Sequence, residues 1–157
     1  MLHEALDAAK QAGLIPWNPT EEIPTPKFAC KVKQILTDEQ LDIFMAIIQQ
    51  DDIWHDFFYT ELTTGLRRGE ICGLKWTDFD EIDGTLKVRR TIHQEKGGKL
   101  TAWDTKTAAG ARTIILPPST VELLRERQKS ALTEWIFPDP LRPEQPTRPS
   151  AAYNRMK

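Results

Sequence analysis

Apolar positions recur along this chain with two different periods, and the change of period separates helical from extended parts. Residues 3–12 are rich in helix formers and set Leu2, Leu6 and Ala9 on one face, which predicts a short helix closed by Gly13. Pro16, Pro19, Pro24 and Pro26 make the next stretch an extended linker. Thr37-Asp38-Glu39-Gln40 reads as a capping box, because the threonine hydroxyl can accept the third N–H while Gln40 reaches back. The helix it opens runs to about Gln50 on a stripe of Leu41, Phe44, Met45, Ile47 and Ile48. A second helix begins after Asp52 and carries Phe57, Phe58 and Leu62 into the core. Tyr59 lies in that helix as packing, and His55 as a surface or packing residue.

Past Asp78-Phe79-Asp80 the period drops to two. Leu86, Val88 and Ile92 alternate with Lys87, Arg89 and Thr91, and Arg90 interrupts the apolar set. Gly97-Gly98 is a turn, and Ala108-Ala109-Gly110 leads into Arg112-Thr113-Ile114-Ile115-Leu116. These segments predict an antiparallel sheet of about three strands, with Lys106 at a hairpin near its tip. Pro117-Pro118-Ser119 starts another helix, with Ser119 and Glu122 as a second capping box and Val121 and Leu124 facing inward. Trp135-Ile136-Phe137-Pro138 is a short buried extended piece, 139–149 a proline-rich loop, and Ser150 the cap of a last short helix. The fold class is therefore α+β, mainly α.

Composition narrows the class only a little. The 157 residues are those of an ordinary globular domain, with no stretch resembling a transmembrane span or a signal peptide, so the default location is the cytoplasm. Cys30 and Cys72 lie far apart, and no histidine stands at metal-ligand spacing, which argues against a disulfide framework or a metal site. Net charge is −2, yet its distribution is uneven. No Lys or Arg occurs between Thr37 and Leu66, whereas Lys87, Arg89, Arg90, Lys96, Lys99, Lys106 and Arg112 crowd the stretch from Gly84 to Leu116. One segment can face a polyanion.

The candidate chemistry lies in Gly65-Leu66-Arg67-Arg68-Gly69-Glu70, which leads on to Ile71, Leu74 and Trp76. Its apolar residues can pack while Arg67 presents a fork for a phosphate, and Glu70, about one helical turn on, can hold that fork in one rotamer. This box resembles the first active-site arginine box of the tyrosine recombinases, the integrases of phages and conjugative transposons. The resemblance implies that Arg67 binds the scissile phosphate and that Glu70 supports it. A second likeness is Thr105-Lys106-Thr107 followed by Gly110-Ala111-Arg112-Thr113-Ile114, similar to the hairpin on which the family carries a minor-groove lysine that acts as general acid toward the leaving 5′ oxygen. On that resemblance Lys106 is catalytic. Arg68, Lys87, Arg89, Arg90, Lys99 and Arg112 are its DNA-contacting companions.

The resemblance covers most of the chain and implies the N-terminal half of the DNA breaking-rejoining catalytic domain. It places residues 1–13 as the last helix of a truncated core-binding domain, on the likeness of Gly13-Leu14-Ile15 and Asn18-Pro19 to that domain's closing phrase, with 14–33 as linker and 34–157 as an incomplete catalytic domain. An N-terminal arm packed on its own domain is the other reading of the first helix. The family's chemistry proceeds through a phosphotyrosyl link that stores the bond energy, so it implies no metal or nucleotide cofactor. Double-stranded DNA is the implied partner, with self-association into the family's tetrameric synapse.

The rest of the family's machinery is missing from these residues. His3, His55 and His93 are followed at the third place by Leu6, Phe58 and Lys96, so no His-x-x-Arg occurs, and neither Tyr59 nor Tyr153 follows such a box. The expectation is a truncated integrase fragment that is inactive alone. Two alternatives stand beside it: a stand-alone DNA-binding remnant without strand-transfer chemistry, and a small globular protein with no nucleic-acid role.

Overall fold

The computed structural model describes residues 2–24, 35–104 and 111–156. Contacts divide the chain into two units, Met1–Ile35 and Leu36–Lys157. In the first, helix α1 (Leu2–Gln11) ends ahead of Gly13, and the described part of the following stretch turns back on it. Asn18 fastens that turn: it is buried, and its amide donates to the His3 carbonyl at 3.1 Å and to Asp7 Oδ1 at 2.6 Å.

The second unit is built around α3 (His55–Thr64), which α2 (Asp38–Ile48) packs against. The Thr37 capping box forms as expected, with the Gln40 side chain returning to the Thr37 N–H at 3.0 Å. Phe57 and Phe58 are buried, and their rings meet Trp54, Phe44 and Phe137 edge-on or stacked. Burying a phenylalanine side chain contributes roughly 1.5–3 kcal/mol, so this cluster is the main anchor of the helical layer. Gly65 closes α3 at φ 62, a left-handed turn that a side chain would strain, and the chain doubles back into the short helix α4 (Arg68–Cys72).

A 3-10 turn, Trp76–Asp78, leads to the strands β1 (Phe79–Asp80), β2 (Thr85–Val88), β3 (Arg90–Gln94), β4 (Leu100–Asp104) and β5 (Arg112–Ile115). β1, β2 and β5 form the three-stranded antiparallel sheet, with Leu86 opposite Ile114 and Val88 opposite Arg112. β3 and β4 form a second, two-stranded sheet. Among the described residues β4 pairs with β3 and β5 with β2, successive parts of one nearly continuous run broken only at Arg89, rather than with each other as the expected hairpin requires. Lys106, assigned to that hairpin, lies outside the described residues.

The apparent break in alternation at Arg90 also has a structural reason. Leu86, Val88 and Ile92 are buried, and Arg90 continues their inward parity with its charge met by a buried carboxylate, as described below.

Helix α5 (Pro118–Lys129) packs on α3 and buries Leu124 and Thr120. It starts at Pro118 with Pro117 as its cap, so the Ser119 capping box does not form. Two fixed proline φ angles begin the helix early, and the Ser119 hydroxyl instead accepts from Tyr59 at 3.0 Å. Ile136 and Phe137 are buried as expected, and the Ile136 N–H donates to the Leu74 carbonyl at 3.0 Å. The proline-rich loop contains a small hairpin, β6 (Pro138–Asp139) with β7 (Arg142–Pro146). The buried Asp139 carboxylate holds it, accepting from the Leu141 N–H at 3.0 Å and from Arg148 Nε at 2.7 Å. Helix α6 (Pro149–Arg155) is capped by Arg148 rather than Ser150; the Ser150 N–H goes across to Gln94 Oε1 at 3.3 Å on β3. Among the described residues no helix is long and apolar enough to cross a membrane.

Candidate active site

Arg67 caps the short helix α4 and Glu70, at its third position, reaches back to it, while the helix is pressed flat against β3. The contact requires Gly69, where a Cβ would stand 2.7 Å from Thr91 Cγ2 and 2.9 Å from the Ile92 carbonyl oxygen. Ile71 and Cys72 on the same helix are fully buried and fix its rotation. Burial also pushes the Cys72 thiol up to about 12, which makes it an inert packing residue, as its apolar neighbours suggested.

That rotation puts the Glu70 side chain inside, 4% exposed, while the Arg67 side chain is 83% exposed. The carboxylate is enclosed by donors. Arg112 from β5 grips it with both ends of its fork, Nη1 to Oε1 at 3.0 Å and Nη2 to Oε2 at 2.8 Å. The Arg67 N–H donates to Oε2 at 2.9 Å, and Arg67 Nη1 to Oε1 at 3.1 Å. The Arg112 fork first, and then the backbone and side chain of Arg67, hold the Glu70 carboxyl down at about 2, against the opposing effect of burial. Glu70 raises Arg112 in return. A permanently ionised carboxylate, anchored from behind by one arginine, therefore steadies a second arginine whose fork faces solvent.

The other cations fall into different places. Arg90 is turned inward, its side chain 14% exposed, with Nη1 donating to Asp78 Oδ2 at 2.5 Å and to the Gly73 carbonyl at 2.9 Å. Grouped with the DNA-contacting residues by sequence, it is engaged with the buried Asp78 beneath the sheet. Arg89 is half-exposed, 3.7 Å from the same carboxylate. Lys87 is exposed on the face of β2 opposite Leu86 and Val88, with Thr113 as cross-strand neighbour. Lys99 is exposed by the β3–β4 turn, beside a separate cavity of about 620 Å³ that Arg142 also lines. Arg112, expected on the DNA face, is the buried-side partner of Glu70. The signal for it was present, since Arg112 shares the period of Ile114 and an inward arginine needs a carboxylate.

Arg67 opens onto a groove of about 580 Å³ whose lining includes Arg68, Gly69, His93, Ser150 and Tyr153. The Arg68 guanidinium carbon lies 5.2 Å from the Tyr153 ring centre. Sequence alone gave Tyr153 no place at the site. Tyr59, by contrast, packs as expected, its ring stacked on His55 with centres 5.8 Å apart. Among the described residues no group of three or more His, Cys, Asp or Glu could hold a metal ion.

This arrangement has known counterparts. Residues 34–157 match the profile of the phage integrase family. A tyrosine recombinase XerC-like protein of Caldanaerobacter subterraneus subsp. tengcongensis is 32% identical over 131 aligned residues, covering 78% of this chain and 32% of its own length. The ICEBs1 integrase of Bacillus subtilis is 28% identical over 134, covering 85% of this chain and 36% of itself. Among solved structures, the Tn1549 transposon integrase in complex with transposon right end DNA superposes with a TM-score of 0.70 at 25% identity, over 82% of this chain and 42% of that one. A lambda integrase tetramer bound to a Holliday junction shares the fold, with a TM-score of 0.64 at 23% identity over 98% of this chain and 42% of that one. The chain spans about a third of the length of the curated relatives it matches. By profile, sequence and fold alike, it belongs to the phage integrase family, the tyrosine recombinases.

Proposed function

We propose that residues 34–157 are part of the catalytic domain of a DNA strand-exchange enzyme, and that Arg67 is its ligand for the scissile phosphate. The observation that carries this is the Glu70 carboxylate, buried, ionised and doubly gripped by Arg112, with the exposed Arg67 fork bonded to its outer edge. A phosphate bound there meets a cation already held in place, so little side-chain freedom is lost on binding. Glu70 and Arg112 position Arg67. Lys106 serves as general acid toward the leaving oxygen, and Arg68, Lys87, Arg89 and Lys99 contact the backbone of duplex DNA in the cytoplasm. Residues 1–13 are the last helix of a core-binding domain and 14–33 its linker. The subunits assemble on DNA, as the lambda integrase tetramer does on its junction.

These 157 residues contain no His-x-x-Arg and no tyrosine after one. A phosphodiester gathers negative charge as its bond breaks, and groups that stabilise that charge as a unit fail together when several are missing. By themselves, therefore, these residues bind duplex DNA without cleaving it. A nicked suicide duplex tests this: incubation with the purified chain should give no covalent protein–DNA adduct on a denaturing gel. An adduct that disappears in Tyr153→Phe would show that this chain supplies its own nucleophile, and would overturn that part of the proposal.

A further inference from the structure

The groove beside Arg67 is walled by rings as well as cations. Tyr153 of α6 lines it, with the Arg68 guanidinium carbon 5.2 Å from its ring centre. His93 of β3 lines it too, with the Trp103 ring tilted against it, centres 4.5 Å apart and planes at 36°. Trp103 does not line the groove, and it supports the His93 ring from outside. The elements that carry the two rings, α6 and β3, are linked by the Ser150 N–H bond to Gln94. The groove is open to solvent, and its volume, about 580 Å³, exceeds what a phosphate group alone fills.

Flat rings set beside a fixed arginine suit a base and a sugar joined to the phosphate that the arginine holds. A base stacked within a duplex has both faces occupied, so the rings can meet only a base that has left the stack. We propose that this groove is a nucleoside subsite, taking the unpaired nucleotide attached to the Arg67-bound phosphate against the His93 and Tyr153 rings that line it. The inference rests on the reading of Arg67 as a phosphate ligand. It adds that the site distinguishes an unstacked nucleotide from bare sugar-phosphate backbone.

Thymidine 3′,5′-bisphosphate and its abasic analogue separate the two ideas. Each is titrated into the ¹⁵N-labelled chain, with inorganic phosphate as a third ligand, and amide shifts are followed at Gly69, His93 and Tyr153. Stacking on a protein ring changes affinity by about fivefold to a hundredfold per base, so thymidine bisphosphate should bind the wild-type chain tighter than the abasic compound by a factor in that range. His93→Ala with Tyr153→Ala should remove this preference and leave abasic binding in place, and His93→Phe with Tyr153→Phe should keep it. Arg67→Ala should weaken all three ligands. Equal binding of the nucleotide and the abasic compound, still sensitive to Arg67→Ala, overturns the nucleoside subsite alone. A preference that survives the double alanine variant also overturns it. No shift with any ligand, or binding indifferent to Arg67→Ala, overturns the phosphate reading beneath it.

Discussion

Replacing Arg112 with alanine removes the fork behind Glu70 without touching the solvent side of the site. The Glu70 carboxyl is held at about 2 against an ordinary 4.5, and the Arg112 bond is the largest cause. At about 1.4 kcal/mol per tenfold change in acidity, the whole displacement corresponds to roughly 3 kcal/mol. The Arg112 side chain is 35% exposed and therefore partly screened, and both Arg67 bonds to Glu70 remain. The share that leaves with Arg112 is about 1–2 kcal/mol. Its pH dependence has a definite sign. A carboxylate lowered on folding contributes its full stabilisation above the unfolded value near 4.5, and that stabilisation fades as pH falls through the folded value near 2. Urea unfolding followed by tryptophan fluorescence should show Arg112→Ala less stable by this amount at neutral pH, the gap narrowing below pH 4.5. Carboxyl ¹³C titration of Glu70 should give a midpoint near 2 in the wild-type chain and a higher one in the variant. Equal stability at neutral pH with an unmoved Glu70 midpoint would refute the claim that Arg112 holds this carboxylate.

Gly69→Ala places a methyl group 2.7 Å from Thr91 Cγ2 and 2.9 Å from a backbone oxygen that cannot swing aside. The expected loss is about 1–3 kcal/mol, read as a lower melting temperature, together with weaker duplex binding as α4 lifts off β3. Asp78→Asn leaves the inward Arg90 without its counter-charge and should cost about 3 kcal/mol in urea unfolding; an unchanged midpoint would mean that Arg90 finds another partner.

Much of the architecture could be read from the chain. Thr37 and Gln40 announced α2, the aromatics of α3 formed the core, and Arg67 and Glu70 met at the spacing their sequence separation implied. What was not legible depends on strand partnership. Alternation tells which face a strand residue takes but not which neighbour it pairs with, so it does not reveal that β4 pairs with β3 and β5 with β2. The same gap concealed the use of two arginines. Arg90 and Arg112 read as surface charge in the sequence, yet both lie at inward positions whose carboxylates, Asp78 and Glu70, come from 12 and 42 residues away. Tyr153 and His93 share a groove only because α6 docks beside β3, and nothing in their local sequence announces that contact.

The central claim, that Arg67 is a fixed ligand for a DNA phosphate, is tested most directly by the affinity of a fluorescently labelled duplex across about 50–200 mM salt, measured by anisotropy for the wild-type chain and Arg67→Ala. Loss of one charge-assisted phosphate contact should weaken binding by about tenfold or more and reduce the slope of log affinity against log salt by about 0.9. An Arg67→Ala chain that binds with unchanged affinity and unchanged slope would contradict it.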